Sequence, residues 1–134
     1  LVDEDTNAFN KIIDAVRMPK GTEEEKSIRH AAMQEATKYA VKVPLEVAQT
    51  SFDAMEVMLE MVEKGNPNSI TDAGVGAMCA RTAVLGAVMN AKINLADIED
   101  ERFKQETMQQ CAKLEEGCLK REEKARKLVA DHIG

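Results

Sequence analysis

Only two clusters of glycine and proline interrupt this chain, Met18-Pro19-Lys20-Gly21 and Lys64-Gly65-Asn66-Pro67-Asn68. Between and around them apolar residues recur at intervals of three and four, the period of an amphipathic helix. No stretch alternates as a half-buried strand would, and no internal repeat or low-complexity run stands out. The expected class is therefore all-α, an antiparallel bundle of long helices, one of them kinked near Pro44. With 134 residues there is room for one domain with a core of its own.

The first helix should run from about Asp3 to Arg17, with Phe9, Ile12, Ile13 and Val16 as its apolar stripe. Thr22 with Glu25 three positions on reads as a capping box opening the second helix. Its stripe is Ile28, Ala32, Ala36, Tyr39 and Val43. Pro44 removes one backbone donor, but the pattern resumes at once through Leu45, Ala48, Phe52, Met55, Leu59 and Val62. Ser69 and Asp72 repeat the capping signature before a helix of small residues, with the seam Ala73, Ala77, Ala80, Val84, Ala87 and Ala91. Close approach on several sides is expected of such a helix, which places it at the centre of the bundle. The last helix, about Glu99 to His132, carries a narrow stripe (Phe103, Cys111, Leu114, Cys118, Ala125, Leu128) in dense charge, as for an outer helix. The methionines read as core filler. Charge runs such as Glu23 to Lys26 and Lys120 to Lys124 read as solvated faces, and His30 as a surface residue.

Composition excludes several functions. Aromatics are 3% of the chain and the net charge is −6, which disfavours binding nucleic acid by base stacking or phosphate contacts. Cys79, Cys111 and Cys118 form no CxxC pair and are an odd set, expected as reduced thiols in a cytoplasmic protein. His30 and His132 lie far apart, so no metal site is expected. The most apolar segment, Ala73 to Leu95, contains Arg81 and Lys92 and reads as a buried helix, not a membrane span.

Polar residues on apolar faces are the candidates for chemistry. Positions 5, 9, 12 and 16 share one narrow helical face, so Asp5 points with Phe9, Ile12 and Val16. A carboxylate withdrawn from water becomes a useful acid or base near neutrality; the plainer alternative is an acidic residue favoured by the helix N-terminus. Asp72 is the second candidate, with capping as its alternative. Asn90 and Asn94, four apart, face the same way and could bind a polar ligand or fasten a neighbouring segment. Glu35, at the edge of its stripe, reads more simply as a rim ion pair. No nucleophile elbow, P-loop or dinucleotide fingerprint is present.

Four segments in register add a resemblance over essentially the whole chain. Leu1-Val2-Asp3-Glu4-Asp5-Thr6-Asn7-Ala8-Phe9 resembles the LxDEDxxAF segment of the formimidoyltetrahydrofolate cyclodeaminases. So do Val43-Pro44-Leu45, Gly65-Asn66-Pro67-Asn68-Ser69-Ile70-Thr71-Asp72-Ala73-Gly74 and Asn90-Ala91-Lys92-Ile93-Asn94-Leu95. That family is all-helical, found alone or fused behind a glutamate formimidoyltransferase domain in histidine degradation, and a related branch acts as methenyltetrahydrofolate cyclohydrolase. Its members begin with a further helical region bearing a Pro-Gly-Gly-Gly-Ser-type motif, absent here. Residues 1–134 are thus expected to be a single helical domain lacking its N-terminal helices.

The resemblance implies ring closure of 5-formimidoyltetrahydrofolate to 5,10-methenyltetrahydrofolate with loss of ammonia, an ammonia-lyase reaction without metal or redox cofactor. It implies Asp5 as the catalytic acid, Asp72, Asn90 and Asn94 as contacts to the folate, and a homodimer or larger homo-oligomer. Lys42 or Lys92 could receive an anionic folate tail. A cyclohydrolase is the first alternative. The second is a non-catalytic assembly bundle, for which Asp5 would be solvated and no folate cleft would exist.

Overall fold

The computed structural model describes residues 1–134. Four helices follow one another without strands: α1 (Val2–Val16), α2 (Glu23–Lys64), α3 (Ile70–Leu95) and α4 (Glu101–Ile133), with one 3₁₀ turn at Pro67–Ser69 before α3. α2 and α3 are antiparallel, since Asn94 reaches Ala40 and Met58 lies over Gly76. α4 returns antiparallel to α3, joined by Lys92–Glu115 and Arg81–Glu122. α1 lies along the first half of α2.

The core forms where α2, α3 and α4 meet. All six small residues of the α3 seam, from Ala73 to Ala91, are buried. Ala80, Val84, Ala87 and Ala91 pack with Val41, Leu45, Ala48 and Met55 of α2 and Cys111, Leu114 and Cys118 of α4, and Ala73 packs with Val62 of α2. Small side chains along one line let helix backbones approach, so larger residues pack beside the contact line instead of on it. Pro67–Leu95 is long and apolar enough to cross a membrane; here its seam packs on α2 and α4. Its opposite face, including Val75, Met78, Met89 and Ile93, is exposed, so α3 is covered on two sides and not surrounded.

Burial on α1 departs from the expected stripe. Ala8 and Ala15 are the buried residues, Ala8 against Ala40 and Val43 and Ala15 near Ala32 and Ala36, while Phe9 and Val16 are exposed. At 100° per residue the contact line lies about 100° from the centre of the apolar stripe. Ala8 and Ala15 sit close against α2, and Ile12 fills the flank. Ile28, at the start of α2, is likewise exposed.

Two helix starts differ in detail from their signatures. The Thr22 hydroxyl accepts the Glu25 N–H at 3.1 Å, but the Glu25 carboxylate takes the N–H of Gly21 at 3.0 Å, one residue upstream of a standard box. Ser69 caps nothing with its side chain. Asn66 caps the preceding 3₁₀ turn, accepting from the Asn68 N–H at 3.0 Å, and α3 follows that turn directly. Asp72 therefore does not act in a capping box.

The α3–α4 link is pinned to α2. Gln34 donates to the Asp97 carbonyl at 2.9 Å and accepts from the Glu99 N–H at 3.0 Å. His30, on the surface as expected, meets Glu99 at 2.9 Å. Asp100 caps α4, accepting the Phe103 N–H at 3.0 Å, and receives Lys38 Nζ at 2.9 Å. The Phe103 N–H first, and Lys38 second, hold the Asp100 carboxyl below its ordinary pKa. The native state then binds fewer protons than the unfolded one, so this contribution is complete above the ordinary aspartate pKa and is lost as pH falls through the lowered one. In Asp100→Asn, the fall in melting temperature from roughly pH 5 to pH 2 should be shallower. An unchanged slope in thermal melts would show that the cap carries no such linkage.

One charge run is not a solvated face. Glu122 is 2% exposed and lies between Arg81 (3.3 Å) and Arg126 (3.0 Å). Arg121 stacks on Phe52 at 3.7 Å and donates to its carbonyl at 2.7 Å. The spacing Cys118, Glu122, Ala125 is four then three, so position 122 continues the buried stripe of α4; its charge concealed this in the sequence.

Candidate functional site

The site begins with the donor that Pro44 lacks. In an unbroken helix the carbonyl of Ala40 accepts from the N–H of residue 44, and proline has none. α2 nonetheless runs through Pro44, which is buried. The orphaned Ala40 carbonyl is taken from outside: Asn94 Nδ2 donates to it at 3.4 Å and to the Asn90 carbonyl at 3.1 Å. Asn94 is thus a fastener between α3 and the proline turn, one of the two roles open to it from sequence.

This connection predicts a coupling. Asn94→Ala leaves a half-buried carbonyl without a partner and should cost about 1 kcal/mol. In a Pro44→Ala background, where the helix supplies its own donor, the same change should cost distinctly less. Equal costs from urea unfolding of the four proteins in this cycle would refute the link.

Around Pro44 the surface is grooved on both sides of Asp5. One groove, about 450 Å³, is walled by Leu1, Val2, Val43, Val47 and Ala87, with Asp5 and Asn90 at its edge. The other, about 260 Å³, lies between Phe9 and Ile12 of α1 and Ile93 of α3, with Asp5, Asn90 and Asn94. Three of the four residues singled out from sequence therefore converge from two helices onto one proline. The fourth does not: Asp72 is exposed at the opposite end of α3, about 27 Å along the helix from Asn90.

Asp5 is exposed, which corrects the expectation of a carboxylate withdrawn from water. The cause is the rotated contact line of α1, which turns Asp5 to the edge of the helix contact. A non-catalytic bundle would also have a solvated Asp5, but it does not account for a groove beside it. Asp5 and Asn90 make no side-chain hydrogen bond within the chain, so both can address a ligand. Apolar walls, a carboxylate and two amides suit a flat ring with polar edges.

The largest groove, about 520 Å³, lies elsewhere between α1 and α2, lined by Lys11, Glu35, Lys38, Tyr39 and Lys42 among others. Lys11 Nζ sits 3.7 Å above the Tyr39 ring. Glu35 pairs with Lys38 at 3.6 Å, the rim ion pair expected of it. Lys92 is held by Glu115 at 2.5 Å, whereas Lys42 forms no ion pair. No group of three or more His, Cys, Asp or Glu side chains is arranged to hold a metal ion. Cys111 and Cys118 are buried, and burial raises both thiols above the ordinary cysteine pKa. Phe9, which the sequence placed in an apolar stripe, and Ile93, which it did not single out, were missed as groove walls.

Residues 1–113 match the family Formiminotransferase-cyclodeaminase. The chain is 40% identical over 114 residues to formimidoyltransferase-cyclodeaminase of Gallus gallus, covering 85% of this chain and 21% of that protein. To methenyltetrahydrofolate cyclohydrolase of Methylorubrum extorquens it is 34% identical over 110 residues, covering 82% of this chain and 53% of that one. It thus spans about a fifth of the bifunctional relatives and half of the cyclohydrolase. The fold is shared with formiminotetrahydrofolate cyclodeaminase of Thermotoga maritima, at a TM-score of 0.82 and 24% identity over 98% of this chain and 61% of that one. Sequence and fold agree: this chain belongs to the formiminotransferase-cyclodeaminase family, whose relatives process folates in one-carbon chemistry.

Proposed function

We propose that this chain carries the ring-closing deamination of 5-formimidoyltetrahydrofolate to 5,10-methenyltetrahydrofolate. The observation behind this reading is the convergence of Asp5, Asn90 and Asn94 on the grooves at Pro44, between apolar walls. N10 of the folate attacks the amidine carbon and forms the new C–N bond. Asp5 takes the proton from N10 and delivers it to the imino nitrogen. A second proton, from solvent, completes the leaving ammonia, and the C–N bond to it breaks. The protein's task is to hold N10 against the amidine carbon and to move these protons. Asn90 presents its amide to the pterin edge, while Asn94 keeps the proline turn and α3 in register. Lys42, free of an ion pair, is the better placed of the two lysines to meet an anionic tail.

The second reading is a cyclohydrolase, the activity named for a relative 34% identical to this chain over 110 residues. There the same carboxylate would take a proton from water attacking the methenyl carbon. Incubation with 5-formimidoyltetrahydrofolate, following ammonia and the near-ultraviolet absorbance of the methenyl product, separates the two. Ammonia release supports the deaminase. Methenyl hydrolysis without ammonia release supports the cyclohydrolase, and neither activity nor folate binding would refute both.

A further inference from the structure

Pro44 does more than part the two grooves: it fixes which end of the Asn94 amide faces one of them. Asn94 Nδ2 donates to two carbonyls, those of Ala40 and Asn90. Only the nitrogen end of an amide can do this, because the oxygen end has no hydrogen to give. Turning the amide over would set its oxygen against both carbonyls and leave the one orphaned by Pro44 without a donor. The amide oxygen is therefore held on the other side. It accepts from no group of the chain, and no buried side-chain oxygen or nitrogen lacks a partner. Asn94 Oδ1 thus stands open at the wall of the groove of about 260 Å³ that Asn94 shares with Asp5.

Two of the three polar side chains in that groove are then acceptors: the Asp5 carboxylate and Asn94 Oδ1. The apolar lining of Phe9, Ile12, Pro44 and Ile93 offers no donor. Asn90 is the one amide free to turn, and in the folate reading it meets the pterin edge. A group seated between Asp5 and Asn94 must bring its own hydrogens. In the ring closure this is the group to which Asp5 delivers a proton, the imino nitrogen of the formimidoyl substituent on N5. An oxygen in the same place, as in the 5-formyl analogue, has the same size and geometry but only lone pairs.

We propose that Asn94 is a specificity-determining residue of this site, its amide oxygen selecting the imino N–H on N5 over the isosteric formyl oxygen. The fixed acceptor gains a hydrogen bond from the first and opposes the lone pairs of the second. The match also lasts through the reaction. On its way to ammonia the nitrogen only gains hydrogens, so an acceptor fits every stage. The inference rests on the reading of these grooves as the folate site, with Asp5 as the proton carrier.

Asp5→Asn is the background for the binding test, since it slows turnover and removes the charge by which Asp5 itself would favour an amidine. This variant should bind 5-formimidoyltetrahydrofolate about 10–100-fold more tightly than 5-formyltetrahydrofolate in equilibrium titrations. Adding Pro44→Ala should keep most of that preference, because the helix then satisfies Ala40 and the Asn90 carbonyl still holds the amide. Adding Asn94→Ser as well, whose hydroxyl can give or accept, should bring the two folates to within about threefold. Asn94→Asp in its place, an acceptor only, should keep the preference. The native chain offers a reading without substitutions. Its Asn94 side-chain amide protons should exchange with water more slowly than those of Asn90 in nuclear magnetic resonance spectra, with or without 5-formyltetrahydrofolate. Equal exchange would show an amide free to turn and overturn the proposal. Equal affinity for the two folates in Asp5→Asn, a preference indifferent to Asn94→Ser, or one abolished by Asn94→Asp would overturn selection by Asn94 and leave the folate site standing. Binding of neither folate by the native chain would refute the folate reading, and this inference with it.

Discussion

Asp5→Asn should lower kcat by roughly 10²–10⁴-fold while leaving the fold intact. The carboxylate lies on the solvent edge of α1, outside the contact of Ala8 and Ala15 with α2, so stability has little reason to change. The amide fills the same space and can still hydrogen-bond a pterin edge, but it cannot accept the N10 proton. A general base should therefore be lost with KM little altered. Product formation under saturating substrate, together with a thermal melt, reads both. Turnover near that of the native protein would remove Asp5 from proton transfer, and Asn90 alone could not replace it.

The second large effect is expected far from that groove. Replacing both Arg81 and Arg126 by Met should cost about 2–4 kcal/mol of stability, because it strands the Glu122 carboxylate between α3 and α4. The figure falls at the lower end for a buried pair because both arginines reach solvent, their side chains 40% and 60% exposed. Adding Glu122→Met to that background should recover most of the loss, and Glu122→Met alone should be nearly neutral. Urea unfolding followed by circular dichroism measures each step. Should the double arginine variant be as stable as the native chain, Glu122 would not depend on these partners.

The two cases differ in how they could be read from sequence. Residue 122 stands at the right interval from Cys118 and Ala125, so periodicity alone marked it as inward, and only its charge argued otherwise. On α1 the reverse held. Its large apolar residues defined a stripe, but the contact was made by Ala8 and Ala15, because α1 lies close against Ala40 and Val43 of α2. Periodicity locates a face to within the spread of its apolar residues. It does not say how near the next helix comes, and that nearness decides whether large or small residues lie on the contact line.

Pro44 and Asn94 mark the same boundary at the site. That α2 continues through a proline was legible, since the apolar spacing resumes at Leu45. That Asn94 and Asn90 face one way was legible too. Their meeting with the carbonyl that Pro44 orphans was not, because it joins residues 54 positions apart and depends on the register of α3 against α2.

Helix number, order and type, and the small-residue seam of α3, follow from the amino-acid order alone, because each is a matter of local backbone preference and of which side chains recur at one helical turn. The solvation of Asp5, the burial of Glu122, the grooves at Pro44 and the separation of Asp72 from them follow only from the folded bundle. They depend on the rotation and spacing of whole helices, which are set by the joint packing of many side chains and not by any segment on its own.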